Sequence, residues 1–140
     1  MDKDSLIPAL SLQPLAGEGG LWSPIYRDKQ SNAINYMMVN PDFSAWHILE
    51  ESELWIHVAG APVNLYTIES AKLITTQLSR EVGTFSYRVK PKTWMAAAPV
   101  GEWSLIICAL TPPFSQMKLG KLAQLREEFP GLQIPELFHE

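Results

Sequence analysis

The chain has 140 residues, 46% of them hydrophobic and 19% charged, and a formal net charge of −4 at pH 7. That length suits one domain over residues 1–140, and scattered Lys and Arg on an acidic chain argue against a nucleic-acid surface. No apolar run approaches the roughly 20 residues of a membrane span, and Cys108, the single cysteine, cannot form an internal disulfide; with aspartates at positions 2 and 4 in place of a basic signal start, a cytoplasmic location is expected.

In chain order, Asp4 and Ser5 suit the cap of a short helix reaching Leu10, which Pro8 limits to about one or two turns. Leu15-Ala16-Gly17-Glu18-Gly19-Gly20 lacks the flanking strand and helix of a phosphate loop and is read as a plain turn. Strands are expected at 21–26, 33–39, 45–48, 53–59 and 63–68, separated by Asp28, Ser31-Asn32, Asn40-Pro41-Asp42 and residues 60–62. Within 53–59, alternation puts Glu53, Trp55 and His57 on one strand face and Leu54, Ile56 and Val58 on the other.

Residues 72–78 suit either a strand or a helix, and strands are expected again at 84–89, 93–98 and 103–110. The last has two apolar sides, Trp103, Leu105, Ile107 and Ala109 against Ile106, Cys108 and Leu110. Its outer face should meet a partner chain or the terminal segment, and a homodimer is expected. Leu119, Leu122, Leu125 and Phe129 share a helical face, and Pro130-Gly131 ends that helix. Short strands without interleaved helices point to an antiparallel sandwich or barrel.

Glu53 followed by six mostly apolar residues and Gly60 is similar to the end of the first motif of the cupin superfamily. The chain more closely resembles a subfamily of small, functionally uncharacterised single-domain cupins. The resemblance rests on Glu18-Gly19-Gly20 with Tyr26-Arg27, Ser44-Ala45-Trp46-His47 with Glu53-Leu54-Trp55, Ala59-Gly60-Ala61-Pro62, Thr93-Trp94 with Ala96-Ala97, and Cys108 ahead of Pro112 and Phe114. It implies an all-β jelly-roll barrel that usually dimerises, to which the local pattern adds the short terminal helices. Metal-binding cupins take a third histidine from a second motif. The matching stretch here, Val89-Lys90-Pro91-Lys92-Thr93-Trp94-Met95, contains none, so no metal or other cofactor is expected.

Three kinds of chemistry compete for the polar residues. His47 and Glu53 are the better pair for a weak metal site, because Glu53 and His57 stand about 13 Å apart along a strand. A histidine and a tyrosine serve as base and acid in sugar-nucleotide epimerases of the cupin fold, so His47, Glu53 and Tyr36 are the catalytic candidates for metal-independent isomerisation or epimerisation. A binding module would hold a sugar- or nucleotide-like metabolite at the barrel mouth, with Trp46, Trp55, Trp94 and His57 as contacts and Arg27 meeting a ligand anion. Glu53 could instead accept hydrogen bonds from loop backbone or Arg27, and Cys108 should be an inert buried thiol.

Overall fold

In the computed structural model, which describes residues 1–139, the chain forms two antiparallel sheets with a short helix toward each end. The six-stranded sheet runs β1 (Gln13–Pro14), β2 (Leu21–Arg27), β3 (Asn32–Val39), β10 (Trp103–Thr111), β5 (Ser52–Gly60), β8 (Ser86–Val89). The five-stranded sheet runs β11 (Met117–Leu119), β4 (Ser44–Leu49), β9 (Trp94–Pro99), β6 (Val63–Glu69), β7 (Lys72–Leu78). Every pairing is antiparallel, as a jelly roll requires. Residues 72–78 are a strand, paired with β6 from Glu69↔Lys72 to Val63↔Leu78.

Alternation sorts the core. Tyr36 and Met38 of β3, Trp55 of β5, and Ile106, Cys108 and Leu110 of β10 meet Leu49, Leu65, Met95 and Ala97 of the other sheet between the layers. The outer face of the five-stranded sheet carries Trp46, Ile68 and Trp94. It is covered by Leu125 of α2 (Leu122–Glu128) and by Ile134 of the C-terminal segment. Trp46 holds that segment directly, its Nε1–H donating to the Pro135 carbonyl at 2.8 Å and its backbone N–H to the Leu137 carbonyl at 3.0 Å.

The outer face of β10 is covered in part by the terminal segment. Leu6 of α1 (Lys3–Ala9) and Leu12 pack on Met37 and Leu105, while Ile107 and Ala109 remain half-buried outside that cluster. Helix α1 starts earlier than expected, because Asp2 is its cap and accepts from the Ser5 N–H at 2.9 Å. Leu119 ends strand β11 instead of opening the tail helix, which begins at Leu122. Among the described residues no helix is long and apolar enough to cross a membrane.

Candidate functional site

A cavity of about 260 Å3 opens at one end of the barrel, with Glu18, His47 and Glu53 in its wall and Arg27 and Tyr26 at the rim. The remaining wall is mostly apolar, built by Leu15, Trp22, Pro24, Ile34, Leu49, Leu110, Phe114 and Met117. An apolar surround with a few convergent polar groups is the usual form of a small-molecule site. Here the polar groups come from the turn before β2 (Glu18), from β4 (His47) and β5 (Glu53), and from the adjoining ends of β2 (Arg27) and β3 (Asn32).

His47 is 1% exposed and fixed by its own strand. Its Nδ1 lies 2.7 Å from the Ala45 carbonyl, and a carbonyl only accepts, so Nδ1 carries the hydrogen. In the neutral ring Nε2 therefore holds the lone pair. That atom stands 3.9 Å from Glu18 Oε1, beyond a direct hydrogen bond.

Glu18 was read from sequence as part of a plain turn. The turn is tight, with Gly19 N–H donating to the Leu15 carbonyl and Leu15 N–H to the Gly20 carbonyl, and Gly19 and Gly20 have φ of +92° and +82°. It is pinned on three sides: Ala45 N–H donates to the Glu18 carbonyl at 2.8 Å, Tyr36 hydroxyl to the Gly19 carbonyl at 2.5 Å, and Gly20 N–H to Asp42 Oδ2 at 2.8 Å. Ser44 Oγ then donates to Glu18 Oε2 at 2.6 Å and holds the carboxylate toward His47. The one sequence signal for Glu18 was its place in the Glu-Gly-Gly segment.

Glu53 is 6% exposed and takes its hydrogen bond from the Trp55 indole N–H at 2.8 Å, not from loop backbone or from Arg27. Burial pushes its carboxyl up to about 7. The opposing pull of His47 and the indole hydrogen bond is outweighed, with Glu18 and Glu51 adding to the rise.

The other candidates are dispersed. Tyr36 does not line the cavity; it is 1% exposed, stacks edge-on to Trp55 at 6.2 Å, and supports the turn that carries Glu18. Burial, then the Glu18 charge, raise its phenol well above the ordinary value, so it is a poor proton donor to a substrate. Trp46 and Trp94 were expected at the mouth and lie on the opposite side of the sheet, since Trp46 adjoins His47 in β4 and successive side chains face opposite ways. Trp55 belongs to the core and does not line the cavity; its indole N–H is on Glu53. His57 does share the inner face with Glu53 and Trp55, but at the far end of β5, where Nε2–H donates to the Ala61 carbonyl at 2.8 Å. Cys108 is buried, and burial raises its thiol well above the usual range.

The fold family raises the question of a metal, and the donor set does not fit one. Among the described residues no group of three or more His, Cys, Asp or Glu side chains could hold an ion. Opposite His47 on β9, where the second motif would supply a nitrogen, stands the buried thioether Met95.

The family model described as Cupin superfamily (DUF985) matches residues 4–120. No curated protein matches the chain. Protein SO0799 from Shewanella oneidensis superposes with a TM-score of 0.85 at 23% identity, covering 93% of this chain and 91% of that one. A hypothetical protein from Leishmania major gives 0.81 at 21%, with 93% of each chain covered. KdgF from Halomonas sp. gives 0.59 at 14%, over 72% of this chain and 84% of that one. At these identities the likeness is one of fold alone.

Proposed function

We propose that this chain, which belongs to the DUF985 family of the cupin superfamily, binds a small metabolite in the cavity beside His47 and moves a proton on it without a metal. The observation that carries the reading is the 2.7 Å bond from His47 Nδ1–H to the Ala45 carbonyl, which leaves Nε2 as the base. Glu53, buried and raised to about 7, supplies a carboxylic acid that is part protonated near neutrality. His47 Nε2 takes a proton from a carbon next to a carbonyl, Glu53 returns one to the oxygen or the neighbouring carbon, and both groups re-equilibrate through solvent. The reaction class is isomerisation or epimerisation. Glu18, 3.9 Å from Nε2, stabilises the imidazolium as it forms. A cavity of about 260 Å3 favours a monosaccharide-sized molecule over a nucleotide.

The test is thermal shift over a panel of small sugars and hydroxy acids, followed by proton NMR of any binder in heavy water. We expect a ligand to raise the melting temperature and its C–H signal to wash out with wild-type protein but not with His47→Gln. Exchange that persists in His47→Gln would refute the catalytic role, and a panel with no binder would refute the site.

We further propose that two copies pair through the outer face of β5 and β10. Leu54, Ile56, Ile107 and Ala109 are half-buried there and lie beyond the part covered by Leu6 and Leu12. Light scattering at micromolar concentration should give twice the 15.7 kDa chain mass; a monomer mass would remove this proposal.

A further inference from the structure

Strand β2 carries a register shift between Pro24 and Tyr26. Trp22 pairs with Tyr36 and Pro24 with Ile34, both inward positions of β3; the extra residue then reverses the alternation, so that Arg27 pairs with inward-facing Asn32. Without the shift Arg27 would point away from the barrel. With it, Arg27 is on the barrel side and lines the cavity beside Tyr26, and among the described residues Arg27 makes no ion pair.

Asn32 is 7% exposed and also lines the cavity. Its Oδ1 is taken by the Phe114 N–H at 2.7 Å, so the free end of the amide is the Nδ2 donor, which has no hydrogen-bond partner among the described residues. Nor is it sealed off, since among the described residues the fully buried side-chain atoms lacking a partner are Glu51 Oε1 and His57 Nδ1. Two neighbouring donors, one of them charged, thus stand unused side by side on β2 and β3.

The same register continues across the sheet. Arg27 pairs with Asn32, Asn32 with Leu110, and Leu110 with Glu53. One row therefore begins with two unused donors and ends at a buried carboxyl, with an apolar Leu110 between. Asn32 and Glu53 are two strand spacings apart, about 10 Å between backbones. With side chains reaching in from both ends, the gap suits a chain of about three to six carbons.

We infer that the cavity takes a short hydroxy or keto acid, its carboxylate held by Arg27 and the Asn32 amide and its hydroxyl or carbonyl end at Glu53 and His47. This rests on the proposed small-molecule site and assigns the substrate class and its orientation. Arg27 and Asn32 are specificity residues; the reacting atoms lie at the other end of the row.

The experiment compares acids with uncharged alcohols of equal length: lactate with 1,2-propanediol, 3-hydroxybutyrate with 1,3-butanediol, gluconate with sorbitol, by calorimetric titration. At least one acid should bind about tenfold or more tighter than its alcohol, as a charge-assisted pair would give. Arg27→Gln should erase that ratio while leaving alcohol binding unchanged. Asn32→Asp, which keeps an acceptor for the Phe114 N–H but replaces the donor with a like charge, should reduce acid binding further. His47→Gln should leave the ratio intact. Equal binding of acid and alcohol, or a ratio unaltered in Arg27→Gln, overturns the inference while the cavity reading stands. Binding of neither class overturns both.

Discussion

The Trp55 indole N–H donates to Glu53 Oε1 over 2.8 Å, joining two side chains that alternation places on the same strand face. The bond ties a buried indole of the six-stranded sheet to a carboxyl whose proton is held to about 7. The indole is therefore a local reporter on that proton. Its N–H resonance should titrate with a midpoint near 7 and stay still in Glu53→Gln, whose amide oxygen keeps the hydrogen bond. An indole signal that does not move between about pH 5 and about pH 8 would contradict a buried, titrating Glu53.

The same group sets a pH slope in stability. Its folded-state value is raised from the ordinary 4.5 to about 7, so the stability conferred by its bound proton is complete below 4.5 and is lost as pH rises to about 7. The loss is on the order of 3 kcal/mol. Urea unfolding of Glu53→Gln should show this slope removed, with the variant gaining on wild type toward pH 8.

Neighbours in β4 should behave as opposites. Trp46→Ala removes a fully buried indole from beneath the C-terminal segment and should cost about 3–5 kcal/mol in denaturant unfolding, with little change in ligand affinity per folded molecule. His47→Gln should cost only about 1–2 kcal/mol yet abolish proton exchange. Equal effects of the two on the ligand would mean that they share a compartment.

Gly20 is fixed by its surroundings. With φ at +82°, a Cβ there would stand 2.5 Å from the Tyr36 hydroxyl oxygen, which holds the Glu18 turn. Gly20→Ala should destabilise by on the order of 2 kcal/mol and weaken ligand binding in the folded fraction. Gly83→Ala, with φ at +79° but open space around it, should cost less and leave the ligand untouched.

Cys108 should be silent in the native state. Burial, and after it the charges of Glu53 and Glu18, hold its thiol protonated. A disulfide reagent at mildly alkaline pH should label it only after unfolding, and rapid labelling of the folded protein would contradict the packing of β10.

Local pattern carried most of the strand plan, because a period of two is visible in a few residues. It put Glu53, Trp55 and His57 on one face and identified β10 as apolar on both sides, which Leu6 and Leu12 partly explain from outside. The same rule, applied to Trp46 and His47, already separates them; the expectation of both at one mouth overlooked it. The strands β1 and β11 are too short, at two and three residues, to show a period, and β11 takes its partner β4 from distant chain. Asp2 caps α1 through a local bond from the Ser5 N–H, which Asp4 and Ser5 as cap residues do not reveal.

By itself, then, the sequence determined an all-β chain and the faces of its strands, and it singled out His47 and Glu53 as candidates without placing them together. Only the folded sheets decided that a turn glutamate would reach His47, that Tyr36 would prop that turn, and that a register shift in β2 would swing Arg27 inward. The reason is physical. Alternation is a property of a strand alone, whereas convergence depends on closure of two sheets and on where one extra residue breaks the pairing.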